Sequence, residues 1–430
     1  MWGKSLHPQL PTPPTGELII IAAMEPIYLD NNATTPLLPE VLDAMREAYA
    51  QGYANPASQH AAGRRARAAL EQARDAIGAL LGADLSSFQA DRVIFTSGGT
   101  ESNNLALRGL AGRPPGRILI SAIEHPSVSD TADFLATQGF TVARLPVNRQ
   151  GVIELSAVEQ ALDPAAKREG EVTRLLSAML GNNETGVLQP IAEIAALCAT
   201  AGVLIHTDAV QVVGKLPVDF RTLGINALSC AAHKFHGPRG IGVLLVRYGV
   251  DLEPQLFGGF QQAGLRPGTE PVVLAIGMQR ALQLWHRERT ERAAQLAALR
   301  DRLASQLRAG WPELVIHGES TSRLPQTLSV SFPGLDRQRL LMALDLAGVA
   351  CSTGSACASG SSASSPVLLA MGLETSLVDS SLRFSLGCQN GAAEVDQAAR
   401  RILKVCNDLR SRERGRNLPE ASPAPPRKPL

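Results

Sequence analysis

Short apolar runs recur along the first part of the chain, separated by segments with helical spacing of apolar residues. They are Val93–Thr96, Ile118–Ser121, Thr141–Val147, Leu175–Leu180, Val203–Thr207, Ala227–Ala231 and Gly242–Arg247. Several lack the in–out alternation of a half-exposed strand, so they read as strands covered on both faces. Strand–helix alternation of this kind predicts an α/β layer built on a mainly parallel, seven-stranded sheet. Upstream, Ser58 to about Leu81 is charged, Ala-rich and helical in pattern, and Tyr28–Pro36 reads as an extended or turn-like lead-in.

Beyond Gly259 the pattern changes. Pro271 to about Gly310 predicts one long helix, bent or broken along its length. A strand at Thr327–Ser331, a helix near Asp336–Ala347, a strand end before Cys351, a strand at Leu382–Leu386 and a helix over Ala393–Arg412 follow. These predict a smaller α+β domain. The expected organisation is a large domain over 38–289 and a small domain made of 25–37 and 290–413. Residues 1–24 read as a disordered leader, with Met24 a candidate start, and the Pro-rich 414–430 as a disordered tail. There are no internal repeats.

Composition narrows the function classes. Hydrophobic residues make up 45% and charged residues 19% of the 430, ordinary values for a soluble globular protein with a large core. A formal net charge of +1 gives no electrostatic reason to expect nucleic acid or an anionic membrane as partner. No apolar run approaches the ~20 residues needed to span a bilayer. The six cysteines form no CxxC pair, which argues for reduced thiols in a cytoplasmic protein rather than a disulfide framework.

Three segments carry chemistry. In FTSGGTESNN, 95–104, a strand end meets two glycines and a helix start with hydroxyl-bearing residues, a ready anion site. Taken alone, an ordinary glycine turn with Ser/Thr capping explains it better. In VLIHTDAVQ, 203–211, Asp208 stands at the carboxyl edge of a buried strand, where an α/β sheet presents ligand-binding groups; a helix N-cap explains it equally well. In SCAAHKFHGPRGIG, 229–242, Lys234 follows an apolar strand, and a desolvated lysine is available as a Schiff-base nucleophile. His233 and His236 lack a third ligand at metal-site spacing, so no metal is expected. Together the three describe pyridoxal 5'-phosphate chemistry: an anion pocket for the phosphate, a carboxylate for the ring nitrogen, a lysine for the aldehyde.

The chain also resembles a family, the cysteine desulfurases of the iron–sulfur cluster assembly type, within the fold-type-I class V aminotransferases. The resemblance runs from about Tyr28 to Leu409. It rests on YLDNNATTP, NPAS (55–58), FTSGGTESNN, EHPSV (124–128), NNETG (182–186), HTDAVQVVGK (206–215), HKFHGPRGIG, RPGTE (266–270), SACASG (355–360) and RFSLG (383–387). It implies that Lys234 carries the cofactor aldehyde, that Asp208 pairs with the ring nitrogen and Gln211 with the ring hydroxyl. His125 would stack on the ring and serve in proton transfer, while Gly99, Thr100 and His233 hold the phosphate. Thr269 would reach a phosphate across a homodimer interface. Asn183 and Arg383 would orient the substrate, Arg383 as the carboxylate clamp. The implied reaction takes L-cysteine to L-alanine, with the Cys357 thiolate attacking the substrate sulfur and becoming a persulfide. That sulfur would pass to an acceptor protein such as an iron–sulfur scaffold.

Cys357 lies in CSTGSACASGSSASS, 351–365, a stretch with almost nothing to bury, as suits a thiol that must be exposed and able to travel. The other cysteines read as structural: Cys198 and Cys406 in helical patterns, Cys230 in a strand, Cys351 at a strand exit. Three positions depart from the family pattern. Ala231 replaces a serine that donates to the phosphate, a loss of about 1.5–3 kcal/mol unless another donor compensates. Cys388 replaces an arginine, and Ala363–Ser364 replaces a Glu-Pro pair, which leaves the loop less restrained. The nearest alternative function is selenocysteine lyase, which shares GGTESNN, NNETG and RPGTE. A PLP aminotransferase or decarboxylase of the same fold and a non-catalytic sulfur-relay protein are further alternatives.

Overall fold

A computed structural model describes residues 25–166, 171–354 and 364–416. The seven predicted strands form one sheet. They are β2 (Arg92–Thr96), β3 (Arg117–Ser121), β4 (Thr141–Leu145), β5 (Thr173–Ser177), β6 (Leu204–Asp208), β7 (Ala227–Ala231) and β8 (Gly242–Val246), after a two-residue β1 (Ile27–Tyr28). Their spatial order is β2-β8-β7-β6-β5-β3-β4; β8 runs antiparallel to both neighbours and all other pairings are parallel.

Burial on both faces explains the unbroken apolar runs. Phe95, Leu119, Leu176, Ile205, Leu228 and Val243 point into one core, whereas Ile94, Ile118, Ile120, Leu175, Ala227 and Leu244 point into the other. The first face is covered by α1 (Pro39–Ala50), α2 (Ala61–Leu80), α5 (Leu155–Leu162) and α6 (Ile191–Ala201), and the second by α3 (Gly99–Leu110) and α4 (Pro126–Thr137). Adjacent residues on a strand face opposite ways, so a doubly covered strand must be apolar at every position.

The long helix is continuous. Helix α7 spans Val272–Gly310, 39 residues, where the pattern suggested a bend or break. Its N-terminal half packs Val272, Ala275, Met278 and Leu282 into the large core, and its C-terminal half packs Leu296, Leu299, Leu303 and Leu307 into a second core. The intervening charged stretch reads as an interruption because its apolar stripe lapses. It holds no Gly or Pro, and Glu288 bridges Arg292 at 2.7 Å one turn on, so the backbone continues.

The second core is closed by β9 (Val315–Ile316), β10 (Thr327–Ser331), β11 (Val349–Ala350) and β12 (Ser381–Ser385), with α8 (Arg337–Leu346) and α11 (Ala392–Arg416). Strands β12, β10 and β9 form an antiparallel sheet, while β1 pairs with β11 in parallel, so the start of the chain returns to the C-terminal part. Two short helices, α9 (Pro366–Ala370) and α10 (Thr375–Val378), lead into β12. Among the described residues no helix is long and apolar enough to cross a membrane.

Candidate active site

The carboxyl ends of β2, β3, β5, β6 and β7 open onto one cavity of about 250 Å³, where an open α/β sheet places its ligands. Gly99, Thr100, His125, Asn183, Asp208, Gln211, His233 and Lys234 all line it. A larger cleft of about 630 Å³ around Arg67, Arg74 and Phe260 contains none of the candidate residues.

Each side chain arrives by a simple local device. Strand β2 ends at Thr96, and Gly98 and Gly99 turn the chain into α3. A Cβ at Gly99 would lie 2.8 Å from Val210 Cγ2, so only glycine brings this helix start so close to the loop after β6. The amides of the first turn of α3 therefore face the cavity as an anion cradle. Ala231, the last residue of β7, stands beside this turn, its Cβ 3.7 Å from the Cβ position of Gly99. The hydroxyl that a serine would present there is absent.

A polar relay crosses the cavity wall. Asn103, on α3, donates from Nδ2 to Asp208 Oδ2 at 2.7 Å and to Ser127 Oγ at 2.9 Å. The Val210 amide donates to Asp208 Oδ1 at 2.9 Å. His125 is the N-cap of α4; its Nδ1 accepts from the Ser127 amide at 3.1 Å and lies 2.8 Å from the Ser127 hydroxyl. The neutral ring thus carries its proton on Nε2. His233 lies 3.2 Å from Thr34 Oγ1, and burial, then the Lys234 charge, push its pKa down to about 4.

Lys234 sits in a single 3-10 turn after β7 and donates to the carbonyls of Asn32, at 2.5 Å, and Ala33, at 2.9 Å. A second lysine stands behind it. Lys215 is buried, donates to the Lys234 carbonyl at 2.6 Å, and has its pKa lowered to about 7 by burial and next by Lys234. Arg383, on β12, lies outside the cavity lining and just beyond Asn183. It donates to the Asn183 carbonyl at 3.0 Å and to Asp30 Oδ1 at 2.7 Å, and its buried Nε has no partner. Thr269 is exposed and lines a separate surface cleft rather than this cavity. Cys357 lies outside the described residues. Burial raises the thiol pKa of Cys198, Cys230 and Cys406 to about 12 and drives that of Cys351 higher, as expected of structural cysteines.

The sequence left several working residues unmarked. Asn103 and Ser127 belong to motifs already noticed, but only the fold joins them to Asp208 and His125. Glu124 accepts from the Met179 amide at 2.8 Å and from the Ser121 hydroxyl, its Oε2 has no partner, and burial pushes its pKa up to about 8. It opens the EHPSV motif, but nothing in the sequence marks it as buried.

The residues present fit pyridoxal phosphate. The cavity pairs an anion cradle at α3 with a carboxylate at β6 and a lysine at β7. Asn103 Oδ1 and Gln211 Oε1 are buried acceptors with no hydrogen-bond partner, as a wall completed by a polar ligand requires.

The matches to known proteins agree with this geometry. Residues 27–398 match the aminotransferase class-V family. Cysteine desulfurase NifS of Azotobacter vinelandii is 38% identical over 394 residues, covering 90% of this chain and 94% of that protein. Cysteine desulfurase IscS of Dictyoglomus turgidum is 37% identical, covering 90% and 95%. Among solved structures, a NifS-like protein from Rickettsia africae superposes with a TM-score of 0.81 at 30% identity, covering 89% of this chain and 100% of the other. The chain belongs to the class-V aminotransferase family and, within it, to the pyridoxal-phosphate-dependent cysteine desulfurases.

Proposed function

We propose that the protein converts L-cysteine to L-alanine and passes the released sulfur, carried as a persulfide on Cys357, to an acceptor protein such as an iron–sulfur scaffold. The observation that carries this reading is the convergence of Lys234, Asp208 and His125 on one cavity with an anion cradle at α3. The identity to curated desulfurases along most of the chain supports it. So does a solved relative in complex with cysteine, 32% identical.

Lys234 would anchor the cofactor, with Asp208 to pair with its ring nitrogen, Gln211 with its ring hydroxyl, and Gly99, Thr100 and His233 to hold its phosphate. When bound, pyridoxal phosphate supplies an electron sink for the carbanion at the substrate Cα. The chain supplies the rest. The Asn103–Asp208 bond orients the carboxylate, and the Ser127 contacts hold His125 in one tautomer with its proton on Nε2, ready for proton transfer. Arg383 takes the substrate carboxylate beside Asn183. The Cys357 thiolate then attacks the substrate sulfur: a sulfur–sulfur bond forms as the Cβ–sulfur bond breaks, and the carbon fragment takes up a proton and leaves as alanine.

Thr269 is exposed on its own chain, which supports a homodimer in which it reaches the partner's phosphate site. The apolar cluster of Leu303, Val330, Phe332, Phe384 and Ile402 supports a small domain over 25–37 and 290–413 beside a large domain over 38–289. The unbridged state of Cys198, Cys230, Cys351, Cys388 and Cys406 suits a reducing, cytoplasmic setting.

The test is turnover of the cofactor-loaded protein with L-cysteine and a thiol reductant. Alanine and sulfide should appear in equal amounts. Cys357→Ser should keep the yellow colour and lose sulfide production; wild-type sulfide from that variant would refute the nucleophile assignment. Selenocysteine run in parallel separates a lyase selective for selenium from a desulfurase.

A further inference from the structure

Two motifs of the sequence hold residues that the reaction above leaves without work: Glu101 in FTSGGTESNN, and Arg266 and Glu270 in RPGTE. The fold brings them together along β2, an edge strand of the main sheet. The Phe95 amide donates to Gln262 Oε1 at 2.7 Å, and Gln262 Nε2 donates back to the Phe95 carbonyl at 2.9 Å. Gln262 and Ala263 have φ +52° and +57°, a conformation that two successive non-glycine residues rarely share. It turns the Gln262 amide onto the strand. Arg74, on α2, donates from Nη1 to Gln262 Oε1 at 3.1 Å and to the Val93 carbonyl, and from Nη2 to Glu270 Oε1 at 3.1 Å. The segment 262–270 is thus fastened at both ends to β2 and α2.

From the middle of that segment Arg266 reaches the start of α3. Its Nε donates to Glu101 Oε1 at 2.7 Å and its Nη2 to Oε2 at 3.1 Å, a bidentate pair. Glu101 is the third residue of α3, and its Oε2 also accepts from the Ser97 amide at 2.6 Å. One carboxylate is therefore bonded both to the strand exit before Gly98 and Gly99 and to Arg266. Burial opposes its charge, but the Arg266 and Ser97 bonds outweigh burial and hold its pKa below the ordinary carboxylate value. The Ser97 amide is spent on Glu101, which leaves an anion to the amides of the first turn of α3. A carboxylate beside an anion site is repulsive unless a cation neutralises it, and Arg266 does so.

We propose that Glu101 is a positioning residue for the cofactor phosphate: bonded to Ser97 and to Arg266, it braces the Gly98–Gly99 turn against a segment that lies outside the cavity. The inference rests on the reading of the α3 start as the phosphate cradle. It gives neither Glu101 nor Arg266 a contact with the cofactor.

The full-length protein, freed of cofactor, is titrated by absorbance with pyridoxal 5'-phosphate and separately with pyridoxal, which has the same ring and aldehyde but no phosphate. Wild type should prefer the phosphate ester. Glu101→Ala should weaken the phosphate ester about tenfold and leave pyridoxal within about twofold. Backbone hydrogen exchange over 96–99 should rise in the same variant. Glu101→Gln keeps an acceptor for the Ser97 amide and should bind the phosphate ester more tightly than Glu101→Ala. Arg266→Ala leaves the carboxylate without its cation and should weaken the phosphate ester at least as much as Glu101→Ala. The double variant Glu101→Ala/Arg266→Ala should bind no more weakly than Arg266→Ala, since both changes break one brace. Equal weakening of both ligands in Glu101→Ala would overturn the proposal, as would unchanged affinity for the phosphate ester, no recovery in Glu101→Gln, or additive losses in the double variant. A wild type with no preference for the phosphate ester would instead defeat the cradle reading, and exchange over 96–99 would then decide separately whether Glu101 holds the turn.

Discussion

At the scale of single residues, the site is built from groups whose ordinary chemistry has been changed by burial. Glu124 shows this most clearly, because a carboxyl raised from 4.5 to about 8 is held as the neutral acid near neutral pH. Its protonated form is favoured by folding, so its stabilising contribution is complete below the unfolded value and is lost as pH rises through the folded one. Glu124→Gln removes that dependence. Relative to wild type, the variant should gain stability as pH rises from about 4.5 to about 8 and hold the gain above that. Urea unfolding at acid, neutral and alkaline pH checks this, and a constant difference between the two proteins would contradict it. Lys234 and Asp208 were legible as candidates because three weak signals on successive strands together asked for one cofactor, whereas His125 was legible only through the family resemblance. Glu124 and Lys215 were not, since their surroundings are made by segments remote in sequence: Met179 for Glu124, the Lys234 carbonyl for Lys215.

At the scale of elements, periodicity located the strands of the main sheet because most are covered on both faces and rich in apolar residues; the edge strand β4 is only partly buried. Strand ends were less legible. The run Leu175–Leu180 continues past the end of β5 at Ser177 because Met179 and Leu180 remain buried after the strand has ended. Helix α7 was misread for a different reason. Its two apolar stripes serve two cores, and the charged turns between them look like a break although nothing interrupts the hydrogen bonding. Each half should contribute to its own core. Leu303 is fully buried in the second one, so Leu303→Ala should cost about 2–5 kcal/mol in chemical unfolding. Cofactor absorbance should be retained, because the lysine, aspartate and phosphate cradle belong to the other core. Loss of colour in a still-folded Leu303→Ala protein would contradict that separation.

At the scale of the whole molecule, the C-terminal part sets Arg383 just beyond the wall of a cavity built by the large sheet, bonded to the Asn183 carbonyl at 3.0 Å. The chain ends tie this arrangement together, since β1 pairs with β11 and the Asn31 side chain bonds the Ser385 carbonyl at 3.0 Å. Residues 27–32, a lead-in by periodicity, bury Ile27 and Leu29 in the second core and carry Asn32 to the cavity wall. Asn32 alone contacts Lys234, Gln211, Thr327 and Asn183. No spacing in the sequence reveals such a convergence, because its partners, with Ser385 bonded to the Asn32 amide, come from five separate segments. Transfer of sulfur from L-cysteine to Cys357 is the proposed work of this assembly. It is tested most directly by giving the cofactor-loaded protein one equivalent of L-cysteine, trapping thiols with an alkylating agent and mapping the peptides by mass. One sulfane sulfur should appear on the Cys357 peptide for each alanine formed. Alanine released with that sulfur on the Cys351 or Cys388 peptide, or on no peptide at all, would contradict it.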